Sequence, residues 1–238
     1  MSISDLISII ENFTEENAET SYNVFYKTSQ EVLQTQDQVV EIVVRIRQHL
    51  CTSDRPVFRS YGLLLLGAAV DRVVKTKTSN AELSSLVPYL IAEASSLEDY
   101  RNFDEQGSFI HFVSHLAYLG HALSDAGLVA KDDAATLARE ICLMYGRTKV
   151  AYFLCEPFVV GELILMLCRG QPEVFKSVLE VFQVEKTEKE LGLVQGAIFR
   201  ANYDYLCMAT SLMNAKYGIS PDMPIQDYVD KMLDRIHG

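Results

Sequence analysis

Val39-Val40-Glu41-Ile42-Val43-Val44-Arg45-Ile46 admits two readings, and the choice between them decides the fold class. Its β-branched content suits a strand. Its spacing suits a helix: Val39, Ile42, Val43, Ile46 and Leu50 form one apolar stripe, while Glu41, Arg45 and Gln48 fall at i, i+4 and i+7 on a polar face. Glu before Lys or Arg at i, i+4 is also the favourable order for a helical ion pair. The spacing predicts a helix, and the same period recurs along the chain.

Residues 59–74 are apolar on every side until Asp71, which predicts a central, buried helix. Ser79-Asn80-Ala81-Glu82 and Thr187-Glu188-Lys189-Glu190 have the capping-box pattern that opens helices. The second opens a long helix with Val194, Ala197, Ile198, Ala201, Tyr205, Met208, Ala209 and Leu212 on its expected buried side. Pro157 and Pro172 suit first helical turns, and Gly218 suits a helix end. Ile225, Tyr228, Val229, Met232, Leu233 and Ile236 give the last segment an amphipathic face.

The expected class is all-α: stacked antiparallel helix pairs forming a HEAT-like α-solenoid, with a closed orthogonal helical bundle as the alternative. The chain has 238 residues, 49% hydrophobic and 22% charged, with only 12 Gly and 6 Pro. No Gly-, Ser- or Pro-rich linker interrupts it, so 1–238 is expected to form a single helical domain.

A formal net charge of −11 repels phosphate backbones and anionic lipid surfaces, arguing against nucleic acid and membrane as partners. The apolar run at 62–70 is too short to span a bilayer, and Glu156, Pro157 and Glu162 interrupt the one at 150–168. Five cysteines, Cys51, Cys142, Cys155, Cys168 and Cys207, occur without close pairing. Together with an N-terminus lacking a basic n-region, this points to free thiols and a cytoplasmic location.

Residues 98–115 run from a charged loop into an apolar helix. His111 and His115 stand four residues apart, and a helical wheel puts them with Tyr118 well away from the stripe of Phe109, Phe112, Val113, Leu116, Leu119 and Leu123. They are therefore expected to face solvent, a groove or a second packing surface. His-x-x-x-His can present two ligands to a divalent metal. Asp99, Asp104 or Glu105 would have to supply the third, because Phe112 replaces the Glu of the zinc-protease motif. Arg101 could instead clamp an anion or polar ligand beside the histidines. In a purely structural reading, Arg101 pins the loop and the histidines hydrogen-bond across a helix pair.

This region resembles a bacterial family of uncharacterised proteins, domain of unknown function 2785. That family has Asp-x-Arg-Gly-Phe, then Gly-Trp-x-His-x-x-x-His and, three residues on, Asp. Asp99-Tyr100-Arg101-Asn102-Phe103 is similar to the first part, with Asn102 in place of Gly. Gly107-Ser108-Phe109-Ile110-His111 carries one extra residue or a shifted aromatic, His115 matches, and Tyr118 stands where the family has Asp. Glu156-Pro157 falls where the family has an acidic residue opening a helix, and the resemblance extends from about Phe58 to Tyr203. It implies a helical-repeat fold in a bacterial cytoplasm and no particular activity. Tyr118 in place of Asp removes a third metal ligand that the family's pattern would offer.

Two functional expectations follow. One is a non-catalytic helical-repeat protein that binds a protein or small-molecule ligand at a polar site of Asp99, Arg101, His111, His115 and Tyr118, with no cofactor. The other is a hydrolase, metal-dependent if a divalent ion is held, using the His111/His115 pair.

Overall fold

The computed structural model describes residues 2–73, 81–96, 111–147, 156–180, 190–218 and 230. The protein is all-α: the described residues form helices and connecting turns, with no strand among them. Where a single helical domain is expected from the sequence, the chain forms two compact units. The first takes residues 2–73, 81–90 and 111–129, and the second takes 91–96 and the described residues from 130 onward.

The first unit begins with α1 (Ile3–Glu11), α2 (Ala18–Val32) and α3 (Gln36–Ile46). Thr35 caps α3: its Oγ1 accepts from the Gln38 N–H at 3.4 Å, and Gln38 Oε1 accepts from the Thr35 N–H at 3.0 Å. Two otherwise orphaned donors are thus satisfied. Val39, Ile42, Val43 and Ile46 are buried, as the stripe predicts. The helix continues into a π-helical turn, Arg47–Cys51.

Pro56 starts α4 (Pro56–Val70), whose buried residues run around its circumference, as expected of a central helix. The short α5 (Ala81–Ser84) follows, then α6 (Leu86–Ser96), of which residues 86–90 belong to this unit. The last helix here is α7 (Phe112–Asp125). α4 packs chiefly on α7, and also on α2, α3 and the π-turn. Phe25, Ile42, Ile46, Leu63, Leu66, Leu116 and Leu119 are each about fully buried in this core. The edge of Phe13 meets Phe58 at 5.3 Å between ring centroids.

The second unit contains α8 (Lys131–Arg147), α9 (Glu156–Leu167), α10 (Pro172–Glu180) and α11 (Leu193–Tyr217). Pro157 and Pro172 lie in first turns, and Gly218 ends α11 at φ 58°, a conformation that glycine adopts without penalty. Both sequence capping boxes include residues outside the described set. Cys51, Cys142, Cys168 and Cys207 are buried thiols, and Cys155 lies outside the described residues. Burial pushes the Cys168 thiol up to about 12.

The buried side of α11 differs from the expected one. Of the expected side Ala209 is buried, but Val194, Tyr205, Met208 and Leu212 are exposed, while Phe199, Asn202, Tyr203, Leu206, Cys207 and Thr210 are buried. The contact with α9 explains the difference. A Cβ placed on Gly161 would lie 2.7 Å from Thr210 Oγ1 and 3.1 Å from Thr210 Cα and N. The two backbones approach at this glycine, so small and polar residues occupy the seam and some larger apolar ones remain outside it.

Candidate functional site

Where described, the histidine region lies on the contact between α4 and α7. α7 starts at Phe112, one residue after His111, so the expected helical wheel begins too early. His111 is the N-cap, with left-handed backbone at φ 47° and ψ 30°, and is half-buried. Such a conformation is uncommon for a residue with a Cβ, although histidine is among those that tolerate it. Its carbonyl accepts the His115 N–H at 3.0 Å, closing the first turn.

His115 does not face solvent or a groove: only 9% of it is exposed. Its Nδ1 lies 2.8 Å from Ser60 Oγ and 3.1 Å from the Ser60 carbonyl oxygen. The carbonyl can only accept, so it favours the tautomer with hydrogen on Nδ1; the hydroxyl can serve either tautomer. The ring packs on Tyr61 with centroids 5.2 Å apart and stands 6.0 Å from the His111 ring. Burial, and secondarily the neighbouring His111, lower the His115 pKa to about 3, against a Ser60 carbonyl that acts the other way. His115 is therefore neutral at physiological pH.

Tyr118, one turn further along, also faces α4. Its hydroxyl donates to Asp71 Oδ2 at 2.5 Å. Burial, then the hydrogen bond to Asp71, raises the Tyr118 pKa, and burial raises that of Asp71 despite the same bond. A Cβ on Gly67 would come within 2.5 Å of Tyr118 Cδ1, so this glycine makes room for the ring. Arg59 lies over Phe112, Ser60 meets His115, and Gly67 meets Tyr118 and Leu119. The paired positions advance together, so α4 and α7 run in the same sense. Tyr118→Phe should cost about 1 kcal/mol in urea unfolding, the net worth of one hydrogen bond. A loss above 3 kcal/mol would mean that the hydroxyl does more than join these helices.

The contact thus brings together His111, His115 and, further along, Tyr118, and adds Ser60, Tyr61 and Asp71, which sequence reasoning did not single out. In the sequence Asp71 stands only as the end of an apolar run, and nothing there marks Ser60 as a histidine's partner. Asp99 and Arg101, with the other proposed acidic ligands Asp104 and Glu105, lie outside the described residues. Among the described residues no group of three His, Cys, Asp or Glu side chains could hold a metal ion. His115 offers little to one, because its Nδ1 is engaged with Ser60 and its ring is enclosed.

No helix among the described residues is long and apolar enough to cross a membrane. Compared with known proteins, the chain matches no family model, no curated protein and no solved structure.

Proposed function

We propose that this chain is a non-catalytic helical-repeat binding protein of the bacterial cytoplasm, with a ligand contact at His111 and the adjoining segment that carries Asp99 and Arg101. The left-handed backbone of His111 carries this reading. A non-glycine residue held there costs on the order of 1 kcal/mol or more, and such strain concentrates at functional positions. His115 and Tyr118 act behind it as the pins that hold α7 on α4. The same-sense pairing of those helices fits equivalent members of successive hairpins in a solenoid, in keeping with the resemblance to the domain of unknown function 2785 family.

The hydrolase alternative uses the His111/His115 pair, to which the Ser60–His115 contact adds the residue types of a nucleophile and its base. Ser60 is fully buried, so no substrate carbonyl can approach its hydroxyl without opening the α4–α7 contact.

His111→Asn separates the readings, because asparagine tolerates the left-handed region. The variant should fold with the parent's stability. A small molecule that raises the parent's melting temperature in a metabolite screen, with amide shifts centred on residues 111–118, should lose that effect in the variant. Parent protein should hydrolyse p-nitrophenyl acetate and p-nitrophenyl phosphate no faster than buffer. Turnover abolished by both His111→Asn and His115→Asn would overturn the binding reading in favour of a hydrolase.

A further inference from the structure

In the first unit, away from the histidines, a cavity of about 320 Å³ opens between the π-helical turn and α6, lined by Val44, Arg47, Gln48, Cys51, Thr52 and Tyr89. Its volume falls in the range of small-molecule sites. The π-turn that forms one wall is itself a rare element, and such turns recur at functional positions.

Arg47 gives the cavity its chemistry. Its Nη1 donates to Ser85 Oγ at 2.9 Å, and its guanidinium carbon sits 5.4 Å from the centroid of the Tyr89 ring. The Ser85 hydroxyl donates onward to the Glu82 carbonyl at 2.6 Å, so its lone pairs remain for Arg47. The side chain is therefore oriented before any ligand arrives. No described carboxylate pairs with it, in a chain of net charge −11. A guanidinium has five N–H donors, and Ser85 takes one. The others form a planar fork suited to a carboxylate or phosphate.

Two features choose between those anions. Among the described residues that line the cavity Arg47 is the one charged side chain, and the chain's field opposes anions, so a doubly charged phosphate is poorly matched. Val44, Cys51 and the Tyr89 ring supply apolar wall, while Gln48 and Thr52 are exposed. We propose that this cavity binds a small organic monocarboxylate, its carboxylate on the Arg47 fork and its apolar body against Val44, Cys51 and Tyr89.

Benzoate, with octanoate as an aliphatic counterpart, tests the proposal by isothermal titration and by amide chemical-shift mapping on the full chain. At least one should bind saturably, with shifts centred on residues 44–52 and 85–89. Arg47→Gln should weaken binding at least tenfold, and Arg47→Lys should weaken it measurably through loss of the fork. Benzamide and inorganic phosphate should bind at least tenfold more weakly than benzoate. Val44→Phe, which fills the cavity and leaves Arg47 in place, should also abolish binding. Circular dichroism and melting temperature establish that each variant is folded. Failure of both carboxylates to bind, equal binding of benzamide, equal or tighter binding of phosphate, or unchanged affinity in folded Arg47→Gln would each overturn the proposal.

Discussion

Gly161→Ala should destabilise the protein by about 2 kcal/mol in urea unfolding, although alanine is the better helix former. The substitution gains about 1 kcal/mol of helix propensity. Against that, the new methyl would sit 2.7 Å from Thr210 Oγ1 and 3.1 Å from the Cα and N of the same residue. The hydroxyl can rotate away, but the backbone of α11 cannot, so the helices must separate or the methyl must be compressed. Overpacking of this kind costs about 1–3 kcal/mol and occasionally more, and contact with backbone places Gly161 at the upper end. Gly67→Ala offers an internal comparison. Its closest atoms, at 2.5 and 2.8 Å, belong to the Tyr118 ring, and Leu119 Cα is 3.4 Å away. A ring can yield if its tether is released, so Gly67→Ala should cost less in a Tyr118→Phe background than alone. A neutral or stabilising Gly161→Ala would show that α9 and α11 are not in close backbone contact.

His115→Ala should cost about 2–4 kcal/mol at pH 7, the range for emptying a buried site of this size, and should also flatten the dependence of stability on pH. The folded-state pKa of His115, about 3, lies below the ordinary value of 6.5. Between those values the unfolded chain takes up a proton that the folded chain refuses. The stabilisation is complete above pH 6.5 and is lost as the pH falls towards 3. From pH 7 to pH 5 the parent should lose about 2 kcal/mol through this residue. His115→Ala should lack that component, so the gap between parent and variant should narrow by the same amount. A gap that is constant over this range would place the folded pKa near its ordinary value and His115 in contact with water.

Much of the helical architecture is legible from local spacing. The stripe of Val39, Ile42, Val43 and Ile46 is the buried face of α3, and the prolines at 157 and 172 and Gly218 mark helix ends because their backbone constraints are local. Helix pairing is not local. α4 packs chiefly on α7, which follows it only after α5 and α6, and no spacing rule connects Ser60 to His115. The helical wheel left solvent, a groove and a second packing surface open for His115, and the fold takes the last, against Ser60 of α4. α7 is buried on more than its apolar stripe, at Phe112, Val113, His115, Leu116, Ala117, Leu119 and Gly120 among others. Its second face is stabilised by polar partners that only the folded chain supplies. On α11 the expected apolar face is largely not the buried one. There Gly161 selected a seam containing Asn202 and Thr210, leaving Tyr205, Met208 and Leu212 exposed. Hydrophobicity identifies which side chains gain from burial, but close backbone contact can decide which face receives it.

The structural role of His115, which leaves the proposed ligand contact to His111, is tested most directly by an imidazole titration. Long-range proton–nitrogen spectra of protein labelled with ¹⁵N-histidine, assigned with His111→Asn and His115→Asn, would follow each ring from pH 8 to pH 4. The His115 nitrogens should keep the pattern of one neutral tautomer throughout. A His115 midpoint near 6.5 in the folded protein would contradict the account, because an imidazole that protonates there is solvated and available to the chemistry that its burial against Ser60 denies.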